Sequence, residues 1–267
     1  MIRTEKDLFR MYGKEDLGSY PLFQGGFINF GLWSAEKPTR RKISIRTRIA
    51  ASRALYRYGF DHLGMLREDE VLEVGCGRGV GCQLALKEYQ PRRIIGVDSH
   101  PSQVKRAWQL LSKKERHAGR ISFEVATAEN LPFRNSSFSA VVSVEAAQHF
   151  HSPVGFLREA FRILRSEGRI SVCTFFSESK TANRTLRELL PTVKSGIDRI
   201  LPLSDFMVFG SSIGFRLAEF MPIGSRIWPW FDRWILQVEG PKGWGRNWFR
   251  AYQMGLLDYY LVTFRKP

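Results

Sequence analysis

The stretch Val71-Leu72-Glu73-Val74-Gly75-Cys76-Gly77-Arg78-Gly79-Val80-Gly81 constrains this chain more than any other. A short apolar run with an acid near its end reads as a buried parallel strand. It passes directly into a loop with glycine at every second position. Glycine lets the backbone turn sharply and brings its N–H groups close to a ligand, because no Cβ stands in the way. A helix from about Cys82 to Tyr89 aims its positive N-terminal end at the same point.

The next turn of the chain adds a second requirement. Arg93-Ile94-Ile95-Gly96-Val97-Asp98 reads as another buried strand with a carboxylate at its tip. An acid roughly 20 residues past such a loop is where nucleotide-binding βαβ units grip a ribose diol. The dinucleotide fingerprint needs Gly or Ala three residues after its second glycine. Here Gly75 and Gly77 are followed by Val80, and Gly77 and Gly79 by Cys82, so that fingerprint fails in both registers.

The pattern that fits is E-x-G-x-G-x-G. With Leu72-Glu73-Val74-Gly75-Cys76-Gly77 and Gly96-Val97-Asp98, the chain resembles the class I S-adenosylmethionine-dependent methyltransferases. Within them it is most similar to the small-molecule branch, which includes ubiquinone/menaquinone C-methyltransferases and natural-product methyltransferases. Ala126-Thr127-Ala128-Glu129-Asn130-Leu131-Pro132-Phe133 extends the resemblance, with Thr127 standing where the family usually carries an aspartate. The similarity runs from about Gly31 to the C-terminus, is firmest over residues 70–175, and names no substrate.

Strand and helix signals alternate through the rest of the core. Strands are expected at Ser122–Val125, Ser139–Val144 and Gly168–Phe175, with helices at Ser102–Lys114 and Pro153–Leu164. This rhythm specifies an α/β fold with a doubly wound, mostly parallel sheet. The resemblance implies seven strands in a Rossmann-like arrangement with helical caps. A helical stretch over 181–209, divided by Pro191 and Pro202, interrupts the rhythm before strand signals return at Phe215–Met221 and Tyr259–Phe264. The expected organisation is an N-terminal cap over 1–65, a cofactor-binding core over 66–178, a helical lid over 179–212 and closing strands over 213–267.

Composition supports a packed, soluble chain: 43% of residues are hydrophobic and 13% aromatic. No stretch approaches the ~20 apolar residues of a membrane span. The N-terminus lacks the apolar run of a secretory signal. Cys76, Cys82 and Cys173 lack metal-ligand spacing and argue against a disulfide framework, so a reducing cytoplasm is expected and no metal. The formal net charge of +15 attracts anionic partners through long-range electrostatics, or serves solubility alone. A helix expected from Thr39 to Tyr58, with Ile45, Ile49 and Tyr56 near one face, carries Arg40, Arg41, Lys42, Arg46, Arg48, Arg53 and Arg57. Such a helix lies on an anionic membrane or nucleic acid, or is a solvated charged face.

The resemblance carries residue roles with it. Backbone groups of Gly75, Cys76 and Gly77, with Glu73 and Glu145 nearby, are implied to surround the methionine part of S-adenosylmethionine, which leaves as S-adenosylhomocysteine. Asp98 is implied to accept both ribose hydroxyls, Ser99 to sit over the adenine, and Thr127, Ala128 and Glu129 to border it. His149, in Val144-Glu145-Ala146-Ala147-Gln148-His149-Phe150, matches a histidine that serves as general base in some members. An imidazole titrates near neutrality and takes a hydroxyl proton, although a pocket-shaping role fits equally. His151 reads as surface, and His62, His100 and His117 have no expected role.

Two aromatic stretches lie outside the motifs. Gly25 to Trp33 either folds over cofactor and substrate or anchors a tail on the core. Five of the seven tryptophans fall between Trp228 and Trp248, Trp244 among them. They form a substrate wall, with Trp33, Trp228 and Trp230 the candidates, or an interfacial anchor, or core. The acceptor is therefore expected to be a small or medium hydrophobic or aromatic molecule, methylated at O, C or N. An RNA methyltransferase, a membrane-associated lipid or quinone methyltransferase, and a partner-binding fold without activity are the alternatives.

Overall fold

A computed structural model describes residues 3–39, 41–243 and 245–267 of the chain; Arg40 and Trp244 lie outside them. Helix α1 (Arg3–Tyr12) leads into an irregular strap and then α2 (Ile45–Leu63). The core follows as β1 (Glu70–Val74), α3 (Val80–Glu88), β2 (Arg93–Asp98), α4 (Pro101–Leu110), α5 (Lys113–Ala118), β3 (Ile121–Val125), β4 (Phe138–Val144), α6 (Pro153–Ile163) and β5 (Leu164–Ser177). Next come α7 (Ala182–Leu189), α8 (Pro191–Ser195), α9 (Leu203–Ile213), β6 (Arg216–Pro222), α10 (Trp228–Glu239), α11 (Arg246–Gln253) and β7 (Leu257–Arg265).

Among the described residues the strands form one seven-stranded sheet in the order β3-β2-β1-β4-β5-β7-β6. The first five pair in parallel, and β7 inserts antiparallel between β5 and β6. The doubly wound, mostly parallel fold expected from the sequence is the fold observed. Strand β1 shows why these apolar runs read so clearly. Val71 packs into the layer that includes α2 and α3, and Leu72 into the layer that includes α6, so both faces are buried. The chain leaves β1 toward β2 and returns across it to β4. That reversal opens a crevice at the carboxyl ends of the strands.

Helix α2 departs from expectation in start and in facing. Ser44 caps it by accepting the Thr47 N–H, so it begins at Ile45 rather than Thr39, and Gly64 ends it with φ +64°. Its buried side includes Arg48, Leu55, Tyr56 and Phe60, whereas Ile45 is 56% exposed. The solvated or lipid-facing reading is therefore corrected at Arg48, which is fully buried. Its guanidinium donates to the carbonyls of Leu22 and Asn29 and to Ser52 Oγ, and lies 5.7 Å from the rings of Trp33 and Phe231. Burial lowers its pKa to about 10, with Glu145 acting in the opposite sense. This buried cation pins the strap of residues 22–33 across the carboxyl end of the sheet.

Helix α4 also ends early, because Ser112 and Glu115 form a capping box that starts α5. The two faces of α2 make a test by urea unfolding. Phe60→Ala is expected to cost about 3–5 kcal/mol, and Ile45→Ala to stay within ~0.5 kcal/mol. Equal costs would return α2 to the facing expected from the sequence.

Candidate active site

The crevice holds a cavity of about 290 Å³ at the carboxyl ends of β1 to β4. The loop after β1 forms its floor. Gly75 and Cys76 both donate to Val97 O, at 2.8 and 2.9 Å, which locks the loop to β2. Gly75 has φ +78°, and a Cβ there would overlap the Ala146 methyl, so only glycine lets the two loops meet. Gly77 has φ +52°, and a Cβ on it would meet nothing within 4 Å. That open face borders the cavity.

Asp98 ends β2 beside Gly77 on the cavity wall. Its Oδ2 accepts the Gly77 N–H and its Oδ1 the His100 N–H, both at 2.9 Å. Burial raises its pKa, while the two amides favour the anion. Each oxygen keeps a second lone pair, so the carboxylate still offers two acceptors side by side for a vicinal diol. Cys76, Ser99, Thr127, Ala128, Glu129 and Glu145 line the same cavity. Glu129 also accepts the Ser152 N–H at 3.0 Å, tying the loops after β3 and β4 together. Asp98, Ser99, Thr127, Ala128 and Glu129 are the residues expected at the nucleoside end of S-adenosylmethionine, and Cys76 and Glu145 those expected at its methionine end.

Glu73 does not reach the cavity, which corrects its expected contact with the cofactor. Strand alternation turns it beneath the glycine loop, fully buried, where Cys82 Sγ donates to its Oε2 at 2.9 Å. Burial pushes its pKa up to about 7. The tryptophans are corrected too. Trp228 is buried core, stacked on Trp248 at 5.9 Å with an interplanar angle of 3°. Trp33 stacks on half-buried Trp230 at 5.8 Å, and Trp230 Nε1 donates to the carbonyls of Ser34 and Glu36. None of the three lines the cavity, because α10 and the strap bury their rings against each other. From the strap, Gly26 and Ile28 face the cavity instead.

The loop after β4 brings Glu145, His149 and Phe150 to the cavity. Glu145 adopts φ +49°, a strained value for a non-glycine residue. Its Oε1 accepts the Phe30 N–H at 2.7 Å and the Tyr259 hydroxyl at 3.1 Å. Burial raises its pKa to about 8 against the opposing effects of those donors and of Arg48. Gln148 braces the turn that follows, donating to Glu145 O and accepting from Thr174 Oγ1.

His149 stands at the end of that turn. Its Nδ1 lies 3.0 Å from Ile197 O and 3.3 Å from Asp198 Oδ1. A carbonyl only accepts, so Nδ1 carries the proton and Nε2 presents its lone pair. That lone pair accepts the Tyr12 hydroxyl at 2.9 Å. Asp198 is buried, which raises its pKa, while His149 acts to lower it. The arrangement is an imidazole in the tautomer of a general base, with a carboxyl group behind it.

Tyr12, Asp198, His100 and Arg199 carry no expected role in the sequence, yet all four belong to this region. Tyr12 ends α1, and its carbonyl accepts from Gln103 Nε2 at 2.7 Å and Arg106 Nη1 at 2.9 Å. The Phe9 ring sits 4.0 Å from that of His100. The pair Phe9 and Tyr12, spaced i, i+3, is the signal that marks one face of α1. Asp198 lies between Pro191 and Pro202, an acid inside the expected lid.

Glu73 and Glu145 have raised folded-state pKa values, so each favours folding when protonated. Stability is therefore expected to fall as pH rises from about 4.5 through 7 to 8, and to level above that. Chemical denaturation across this range checks it. Glu145→Gln should flatten the upper part of the fall, and an unchanged slope would contradict the burial argument.

Comparison with known proteins agrees with the geometry. Residues 72–172 match the family model described as a methyltransferase domain. The chain is 32% identical over 268 aligned residues to erythromycin 3''-O-methyltransferase of Saccharopolyspora erythraea, covering 91% of this chain and 85% of that one. It is 26% identical to O-methyltransferase resE of Aspergillus sclerotiorum, over 82% and 80% of the two chains. Geranyl diphosphate C-methyltransferase of Streptomyces coelicolor, solved with S-adenosyl-L-homocysteine, shares the fold with a TM-score of 0.80, at 15% identity over 99% and 98% of the chains. The chain belongs to the class I S-adenosylmethionine-dependent methyltransferases, in their small-molecule branch.

Proposed function

We propose that this enzyme methylates a hydroxyl oxygen of a small organic acceptor, with His149 as the general base. The observation that carries this reading is His149, a cavity-lining residue whose Nδ1 faces the Ile197 carbonyl and Asp198, which leaves Nε2 as the acceptor for the hydroxyl of Tyr12, itself on the cavity wall. A base is required for an alcohol or phenol, whose proton must leave as the new C–O bond forms. That two of the relatives, those of Saccharopolyspora erythraea and Aspergillus sclerotiorum, are named O-methyltransferases supports it.

S-adenosylmethionine, when bound, supplies a methyl group on a positively charged sulfur. Gly75, Cys76 and Gly77 would hold its amino-acid end, Asp98 its ribose, and Ser99, Thr127, Ala128 and Glu129 its adenine. Glu145 stands on the strap side, where its carboxyl contacts either the amino-acid end or the acceptor. The protein must hold the acceptor oxygen within about 3–3.5 Å of the methyl carbon, in line with the leaving sulfur. To reach Nε2, the acceptor hydroxyl replaces that of Tyr12. Its proton passes to Nε2, and Asp198 stabilises the imidazolium that results. Phe9, Ile28, Phe150 and Ile197 give the cavity apolar walls that suit a hydrophobic acceptor body.

No group of three or more His, Cys, Asp or Glu side chains among the described residues is placed to hold a metal ion. No described helix is long and apolar enough to cross a membrane.

Calorimetry with S-adenosylhomocysteine tests the cofactor site. Asp98→Ala should weaken binding by roughly 1.5–3 kcal/mol, the range for hydrogen bonds to a charged group. Methyl transfer to a panel of phenols and glycosides tests the base. His149→Ala should lower turnover about 10²–10⁴-fold with homocysteine-adduct affinity unchanged. Asp198→Asn should lower turnover by less. Full turnover in His149→Ala would reduce the imidazole to pocket lining.

A further inference from the structure

Most ionisable groups lining the cavity are accounted for by partners. Asp98 is held by two amides, Glu129 by the Ser152 amide, Glu145 by Phe30 and Tyr259, and Arg78 by Asp16. Arg199 is different. It lies two residues beyond Ile197, and its own N–H donates to Gln148 O at 2.7 Å, so its backbone runs beside the base. Its half-buried side chain follows the cavity rim, where Nη1 contacts His151 Nδ1 at 2.9 Å. Nδ1 of His151 must be unprotonated to accept that bond. No carboxylate among the described residues pairs with this guanidinium.

A guanidinium presents five N–H donors in a planar fork that matches carboxylate or phosphate oxygens two at a time. We propose that Arg199, braced by His151, is an oxyanion subsite for the methyl acceptor. The acceptor then carries a carboxylate or phosphate ester. It docks that group on Arg199 at the rim while its hydroxyl takes the place of the Tyr12 hydroxyl on His149. The apolar side chains of Phe150 and Ile197 lie between the two anchors along the chain and face the body of the acceptor. This proposal deepens the reading of His149 as base and rests on it for the acceptor's orientation.

Calorimetric titration of the full chain with sodium pyrophosphate, and separately with sodium benzoate, tests it, each in the presence of S-adenosylhomocysteine. At least one oxyanion should bind the wild-type protein. Arg199→Gln should weaken that binding at least about tenfold, the scale of one charge-assisted hydrogen-bonded pair. Its affinity for S-adenosylhomocysteine should stay unchanged, which shows that the variant is folded. Pyrophosphate binding alone selects a phosphate ester, and benzoate binding alone a carboxylate. Absence of binding by both anions, or equal binding by wild type and Arg199→Gln, overturns the subsite. The titration needs no turnover, so it is decided independently of whether His149 acts as the base. If the homocysteine adduct itself fails to bind, the cofactor reading falls, and the anion titrations are read on the protein alone.

Discussion

The site depends on a close approach between the loop that leaves β1 and the loop that leaves β4. Gly75 packs where any Cβ would overlap Ala146, and the same loop donates two N–H groups to Val97 O. The glycine backbone is thereby fixed on one side by β2 and on the other by the loop that carries Glu145 and His149. Asp98 completes the clasp, because its two oxygens accept from Gly77 and His100. A parallel sheet alone leaves an open groove at the reversal of strand order. This contact turns the groove into a shaped floor, with a carboxylate at one end and an imidazole at the other.

The upper half of the site is assembled from segments far apart in sequence. Tyr12, His149 and Asp198 meet although Tyr12 and His149 are 137 residues apart in the chain and His149 and Asp198 49, through contacts of 2.9 and 3.3 Å. Each is held by backbone contacts as well as by its side chain: the Tyr12 carbonyl by Gln103 and Arg106, the His149 turn by Gln148, and the Asp198 segment by the bond from Arg199 N–H to Gln148 O. Rigid support of this kind lets an imidazole keep one tautomer. The strap is held differently, by the buried guanidinium of Arg48, whose burial is offset by three hydrogen bonds and two aromatic rings. A buried charge with neutral partners is costly. Here it fixes residues 22–33 over the cavity and delivers the Phe30 N–H to Glu145.

The core was legible because buried parallel strands are continuous apolar runs bounded by glycine or acid. Arg93–Asp98 has the same bounds in the structure as in the sequence reading, and β1, β3 and β4 differ by a residue or so. Glu73 shows the limit of motif reading: its position matches the family, but strand alternation turns it under the loop. Helix α1 was not legible, since ten residues, half of them charged, are held by contacts with Gln103, Arg106 and His100 rather than marked by their own periodicity. Charge misled at Arg48, where a basic residue on a basic helix is the one that turns inward. The tryptophans misled as well. Clustering in sequence does not say whether rings face a ligand or each other, and Trp228 with Trp248 and Trp33 with Trp230 face each other.

The central claim is that one cavity presents the cofactor's methyl group to an oxygen held on His149. A crystal structure of the enzyme with S-adenosylhomocysteine tests it most directly. The expected result places both ribose hydroxyls on Asp98, the amino-acid end over Gly75 to Gly77, and the sulfur facing the side of the cavity that holds His149 Nε2. A ribose away from Asp98, or a sulfur separated from His149 by a wall of the cavity, would contradict it.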